Sequence, residues 1–310
     1  MIATITINPA LDKSTTFEKL MPEKKIRCAD LVIEAGGGGI NVSKALKELG
    51  EDSLAIFPSG GNNGERLKEI LEKLDIHFRT IEINSDTRES FTAVELSSNA
   101  QYRFVMPGGQ MDEKDVSDCL SLINDLNPLP LIIVASGSLS PGIPQDFFGS
   151  LAVLAKQKGI KLIVDTSGLP LKLAGDQGVY LLKPNLSELC SLVGKEFLEL
   201  NEVDSAAKQV IEKGYCEVVV VSMGPAGAML VTKDIHKRVS APTVKKLSTV
   251  GAGDSMVAGI AFMLEKNASL IEAVQFGVSC GSAATMNPGT KLFNKDDVFR
   301  LYEWVKTTCN

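Results

Sequence analysis

Residues 131–165, LIIVASGSLSPGIPQDFFGSLAVLAKQKGIKLIVD, carry two unbroken apolar runs separated by an amphipathic one. The run at 131–135, and the one within 161–164 that follows Lys161 and ends on Asp165, are short and do not alternate, as in strands covered on both faces. Between them, 146–158 places Phe147, Leu151 and Leu154 on one side of a helix. The pattern repeats outward. Residues 2–7, 54–57 and 218–221 read as strands. In 41–49, Val42, Ala45, Leu46 and Leu49 form one helical face, and in 64–74 Leu67, Ile70, Leu71 and Leu74 do the same. Continuous apolar strands separated by amphipathic helices make an α/β fold with a parallel sheet covered on both faces. The tail, 255–306, reads as helical throughout. Two stretches break the rhythm: 24–33 and 88–105 read as antiparallel strands without intervening helices, a lid or an interface projecting from the body.

A chain of 310 residues suffices for one large α/β domain with a small appendage. Hydrophobic content of 44% and charged content of 23% are those of a soluble globule. The net charge of −6 argues against a sequence-independent nucleic-acid binder, though local cations can still hold small anions. The six cysteines (Cys28, Cys119, Cys190, Cys216, Cys280 and Cys309) form no C-x-x-C pair, and His77 and His236 are the only histidines. Neither a zinc site nor a disulfide framework is expected, and free thiols suit a reducing cytoplasm. The opening MIATITINPALD has no basic n-region, so no secretory signal is expected. The run at 256–264 is far short of the roughly 20 apolar residues that a bilayer requires.

Chemistry concentrates in five segments. Thr249-Val250-Gly251-Ala252-Gly253-Asp254 sets small residues before a carboxylate at a helix start. Small residues let backbone N–H groups approach a ligand, and the helix start adds free donors and a positive dipole end. That cradle can hold a phosphoryl oxygen while Asp254 takes a proton from a hydroxyl, the pairing that phosphoryl transfer to an alcohol needs. Gly36-Gly37-Gly38-Gly39-Ile40-Asn41 opens another helix with no side chain in the way of a ligand; a flexible linker would not run straight into so well patterned a helix. Asp12, in Asn8-Pro9-Ala10-Leu11-Asp12, follows the first strand, where it can accept from ligand hydroxyls or merely cap a turn. Lys25, Arg27, Arg88 and Arg103 fall on the irregular stretches and suit a phosphorylated substrate, or else form an ordinary charged face. In Lys183-Pro184-Asn185-Leu186-Ser187-Glu188, Asn185 and Glu188 share a helix face; they can hold hydrated Mg²⁺, form a capping box, or do both.

With these motifs the chain resembles the ribokinase-like (PfkB) family of ATP-dependent carbohydrate kinases over essentially its whole length. NPALD, GGGGIN, SGSLSPG at 136–142, KPNLSE and TVGAGD stand in that family's order and spacing. Ser140 departs from the commoner SGSLPPG, in a loop away from the chemistry. PEKKIRC, GGGGINV, QYRFVMPG and STVGAGDSM look most like the sugar-phosphate branch, and within it the minor bacterial 6-phosphofructokinase group. The resemblance implies a three-layer α/β/α fold with a mostly parallel central sheet and a small projecting β-sheet lid. It implies a single domain, 1–310, with lid strands inserted at about 13–35 and 86–107.

The resemblance also implies roles. Asp254 would be the base, and Gly251, Ala252 and Gly253 the anion hole. Asp12, Gly37, Gly38, Asn41 and Ser138 would contact the sugar. Lys25, Arg27 and Arg88 would hold its phosphate, with Arg103 beside them. Lys183, Asn185, Ser222, Gly224 and Gly227 would line the nucleotide site, and Asn185 with Glu188 would serve Mg²⁺ through water. The partners implied are ATP, a sugar phosphate and a second copy docked through the lid, whose Arg27 would reach the neighbouring site; no nucleic acid or membrane is implied. The reaction implied is fructose 6-phosphate to fructose 1,6-bisphosphate, with tagatose 6-phosphate or fructose 1-phosphate as alternative acceptors. A nicotinamide oxidoreductase fits poorly, because the late G-x-G leads into Asp254 with no third glycine. A non-catalytic sugar-phosphate sensor would be expected to have lost the base or the cradle, and both are intact.

Overall fold

Ile132, Val134 and Ile163 turn to one face of the central sheet, and Ile133, Ala135, Leu162 and Val164 to the other, as alternation in a doubly covered sheet requires. The structure is a computed structural model and describes residues 1–308. Cys309 lies outside the described residues.

In chain order the strands are β1 (Ile2–Ile5), β2 (Ala10–Phe17), β3 (Val32–Gly36), β4 (Ser53–Ser59), β5 (His77–Glu82), β6 (Arg88–Glu95), β7 (Gln101–Val105), β8 (Ile132–Ser136), β9 (Lys161–Asp165), β10 (Val179–Leu182), β11 (Cys216–Ser222), β12 (Ala228–Val231) and β13 (His236–Val239). The helices are α1 (Gly38–Glu48), α2 (Gly61–Lys73), α3 (Glu113–Asn124), α4 (Phe147–Gln157), α5 (Gly168–Gln177), α6 (Leu186–Val193), α7 (Val203–Glu212), α8 (Ala252–Glu265), α9 (Leu270–Thr285) and α10 (Lys295–Thr308).

The nine-stranded sheet has the order β13-β12-β11-β10-β9-β8-β1-β4-β5. It is parallel from β5 to β11 and antiparallel only at β12 and β13. One face packs on α3 to α7 through residues such as Phe147, Phe148 and Val210, the other on α1 and α8 to α10 through Leu46, Val257 and Phe276. Each large side chain buried this way contributes roughly 1.5–3 kcal/mol. A second sheet of four strands, β3-β2-β6-β7, stands apart as the lid.

The structure moves several expected elements. The strand expected at 131–135 begins one residue later, and Leu131 is exposed. Leu74 falls past the end of α2 and is exposed. The tail is not continuous helix, because 266–269 and 286–294 interrupt it. Of 24–33, only a bridge between Phe17 and Cys28 and the start of β3 are strand-like; the remainder is loop. The sequence reading named no strand at β2, β5, β10, β12 or β13; the polar middle of β2, Asp12 to Thr16, shows no apolar alternation. β6 and β7 are antiparallel as expected, whereas β2 and β6 run parallel.

Candidate active site

The carboxyl ends of β1, β8, β9 and β10 lie side by side, so the loops beyond them open on one crevice, where ligands of open α/β sheets bind. A cavity of about 300 Å³ lies between this edge and the lid. Asp12, Gly37, Gly38, Asn41, Arg88, Arg103, Gly251 and Asp254 line it together, although they come from both ends of the chain.

Gly251 is the N-cap of α8 in a left-handed conformation, φ 72°, which glycine adopts without strain. No side chain caps this helix; the Ala252 N–H makes only a long bond of 3.4 Å to the Thr249 carbonyl, and the helix start is open to an anion. A Cβ on Gly251 would come within 2.6 Å of Leu292 Cδ2. Asp254 stands in the first turn of α8. Its carboxylate accepts from Asn41 Nδ2 at 2.9 Å and from Ser136 Oγ at 3.4 Å. Burial, reinforced by nearby Asp165, pushes its pKa up to about 6, against the opposing pull of Asn41, Lys183 and Ser136. A carboxylate tuned this way is ionised at neutral pH and more basic than an exposed aspartate, as suits a general base.

The glycines of α1 are there because chain segments meet. A Cβ on Gly38 would lie 2.3 Å from Ser136 Oγ and 2.8 Å from Gly137 N, so only glycine lets α1 approach the end of β8 and bring Asn41 to Asp254. Asp12, on β2, lies opposite Glu34 on β3. Burial makes it less acidic than an ordinary aspartate, overriding Lys44, Arg88 and Arg103. Arg88 donates to the Asn8 carbonyl at 3.2 Å and to Ser90 Oγ at 3.3 Å, which fixes its guanidinium over the cavity. Arg103, across the β6–β7 pair from Thr92, is the second cation there.

Five residues expected at the sugar and the cradle do not line the cavity: Ala252 and Gly253, which begin α8 beside it, and Lys25, Arg27 and Ser138. Lys25 and Arg27 are exposed on the β2–β3 loop, which projects instead of folding back as a strand. Ser138 accepts from Asn8 Nδ2 at 3.1 Å and faces outward, so Gly137 takes the lining position.

Next to the cradle lies a second group of expected residues. Lys183, almost wholly buried, pairs with Asp165 at 3.1 Å, and its Nζ is 3.6 Å from where a Cβ of Gly253 would be. Burial alone would make Lys183 less basic, but Asp165, Glu188 and Asp254 more than offset it and keep it charged. Asn185 and Glu188 form a capping box on α6, with reciprocal bonds of 2.8 and 2.9 Å. Ser222 bridges to Asn185, and its N–H donates to Pro184 O, which joins the ends of β10 and β11. Gly227, with φ 91°, leaves no room for a Cβ beside the Val239 carbonyl. Among the described residues, no three His, Cys, Asp or Glu side chains converge as a metal cage. Glu188, less acidic because it is buried, and Asp165 suit a cation that keeps most of its water.

Sequence reasoning gave no role to Asn8, Ser136, Asp165 and Thr290, or to the lid side chains Ser90, Phe91, Thr92 and Phe104. Ser136 and Asp165 end the two strands of the opening segment, so their place at a carboxyl edge was a usable signal. Thr290 carries none.

The chain matches the family described as pfkB family carbohydrate kinase over residues 4–297. It is 41% identical over 305 residues to the ATP-dependent 6-phosphofructokinase isozyme 2 of Escherichia coli K12, covering 98% of each chain. It is 30% identical over 289 residues to the 1-phosphofructokinase of Borreliella burgdorferi, covering 92% of each. The crystal structure of the E. coli phosphofructokinase-2 in complex with fructose-6-phosphate superposes with a TM-score of 0.92 at 39% identity, over 98% of this chain and 99% of that one.

Proposed function

The chain belongs to the pfkB family of carbohydrate kinases, and we propose that it transfers the γ-phosphoryl group of ATP to a ketohexose phosphate, fructose 6-phosphate first. The observation that carries this reading is the meeting, in one cavity, of an uncapped helix start with its carboxylate and two arginines borne by the lid. An acceptor without a phosphate would have no use for Arg88 and Arg103.

The sugar phosphate binds with its anionic group on these arginines and its hydroxyls toward Asp12 and Asn41. That aims the free hydroxyl at Asp254. The γ-phosphoryl rests on the N–H groups of 251–253. Asp254 takes the hydroxyl proton as the new O–P bond forms and the bond from phosphorus to the ADP oxygen breaks. Asn41 and Ser136 hold the carboxylate in line, and Lys183 adds positive charge on the nucleotide side. Mg²⁺, held through water by Glu188 with Asp165 close by, would neutralise phosphate charge.

A coupled assay of ADP release over fructose 6-phosphate, tagatose 6-phosphate and fructose 1-phosphate tests this. We expect the highest kcat/KM with the first; no turnover with any of them would sink the reading in favour of a sensor. The fructose 1-phosphate arm answers the likeness to 1-phosphofructokinase. Because Asp254 must be ionised to act, kcat/KM is expected to fall about tenfold per pH unit below its value of about 6 and to level off above it. A flat profile from pH 5 to 8 would remove it as the base.

The working assembly is a dimer through the lid. Leu31, Val32, Leu96 and Met106 on or beside the small sheet are exposed, an unusual density of bare apolar side chains. In that dimer the loop bearing Lys25 and Arg27 reaches toward the neighbouring cavity. Leu31→Glu with Val32→Glu is expected to halve the mass seen by sedimentation; an unchanged mass would place the contact elsewhere. Use of ATP and the free thiols Cys28, Cys119, Cys190, Cys216 and Cys280 suit a cytoplasmic enzyme.

A further inference from the structure

α1 opens on Gly38 and Gly39, and its N-cap, Gly37, has no side chain to cap with. One of its first N–H groups is satisfied from outside the helix instead. The Ile40 N–H donates to Thr6 Oγ1 at 2.8 Å, and both residues are buried. Thr6 stands just past β1 and is fixed to the sheet by its own N–H, which donates to the Ile56 carbonyl at 3.0 Å. The glycines make the room that Thr6 fills. A Cβ on Gly37 would come within 2.6 Å of the Thr6 methyl, and one on Gly39 within 2.6 Å of its hydroxyl. Thr4, two residues back along the strand and so on the same face, makes a second contact of this kind. Its Oγ1 lies 2.7 Å from Ser43 Oγ of α1, and Ser53 Oγ of β4 donates to Ser43 Oγ at 2.9 Å. Thr4, Ser43 and Ser53 are all buried. Around these hydroxyls α1 packs on the sheet through Val42, Ala45 and Leu46. Apolar packing alone tolerates sliding, whereas a buried hydrogen bond that slips leaves an unpaired group, so the hydroxyls fix the register of the helix. Asn41 follows Ile40 directly, and its Nδ2 holds Asp254 at 2.9 Å.

We propose that Thr6 is a positioning residue for the base: with the Thr4–Ser43–Ser53 cluster it sets how far α1 reaches toward the carboxyl edge of the sheet, and so whether the Asn41 amide meets Asp254. The inference rests on the kinase reading above, in which Asp254 removes the proton. Thr6 does not line the cavity and acts only through α1. Asn41 opposes the effect of burial on Asp254, as do Lys183 and Ser136, while Asp165 adds to it. Of these four only Asn41 stands on α1, so the register of that helix reaches the base through one amide. With that amide drawn away, Asp254 keeps its proton to a higher pH, and its carboxylate is free to turn out of line with the acceptor hydroxyl.

The test compares Thr6→Val, which keeps the shape and removes the acceptor, with Thr6→Ser, which keeps the acceptor. Thr6→Val is expected to lower kcat about tenfold and to move the midpoint of the acid limb of the kcat/KM profile up by about half a pH unit. Thr6→Ser should restore both. In an Asn41→Ala background, Thr6→Val should cost less than about twofold further, because the bond it serves is already gone. Ser43→Ala should move the midpoint in the same direction; it carries the test if Thr6→Val does not fold, and an unmoved midpoint there would then overturn the proposal. Carbon NMR of the Asp254 carboxyl in the free protein reads the same shift without turnover. A lowered Tm with kcat and midpoint unchanged would make Thr6 a support of the fold alone and overturn the proposal. So would an equal loss in the Asn41→Ala background, which would mean that Thr6 acts by another route. If wild-type protein phosphorylates no ketohexose phosphate, the kinase reading fails, and the carboxyl titration still decides whether Thr6 sets the bond between Asn41 and Asp254.

Discussion

Asp254→Asn is expected to lower kcat by about 10³-fold or more while KM for ATP and for the sugar phosphate changes less than about threefold. Asparagine fills the same space and can still bond Asn41 or Ser136, but it cannot take a proton. The loss therefore falls on the transition state, where the proton is in transit, and not on the bound ground state. Near-normal turnover in this variant would end the assignment. The same substitution should also stabilise the protein. The folded-state pKa lies above the ordinary value of 3.8, at about 6, so between those limits the folded chain binds a proton that the unfolded chain has released. Stability therefore falls as pH rises through that window, and above it the full cost of a buried charge remains. Removing the charge is expected to raise Tm by a few degrees at pH 7 and by almost nothing near pH 4. Scanning calorimetry at the two values separates this from a general packing effect.

Arg88→Ala should act on the other substrate. Its guanidinium, held by the Asn8 carbonyl and Ser90, is pre-aimed into the cavity, so little side-chain ordering remains to oppose anion binding. Losing it is expected to raise KM for the sugar phosphate about 30- to 100-fold, with KM for ATP nearly unchanged. Arg88→Lys should recover only part, because an ammonium lacks the two-pronged fit. An unchanged sugar KM would leave Arg103 as the main phosphate contact.

Much of the fold was legible because its signal is local. The opening segment, 131–165, shows its two doubly buried strands and the helix between them by composition alone, and each lies within a residue or two of its expected place. The motif glycines were legible for a related reason: Gly38 and Gly251 stand where a Cβ would strike another part of the chain, so the residue type records the contact. The lid was harder. β2 carries polar residues because one of its faces serves a ligand, and that removes the apolar alternation that marks a strand. Lys25 and Arg27 were legible as cations but not as loop residues, since positive charge in sequence does not say which way a loop projects. Ser136 and Thr290 act through partners more than a hundred residues away, and no local window along the sequence contains both ends of such a bond.

The carboxylate of Asp254 is held by Asn41, 213 residues away, and by Ser136, 118 residues away. Contacts of such separation are slow to form, because a long loop must close before they return any stabilisation. A chain still emerging from the ribosome can complete β1 to β11 and their helices long before α8 exists to bring the base against α1. Such a chain already carries Lys183, Asn185 and Ser222, but it has no tuned acid beside a phosphate cradle. The order of synthesis thus withholds the base and the cradle from the nascent chain until α8 has been made.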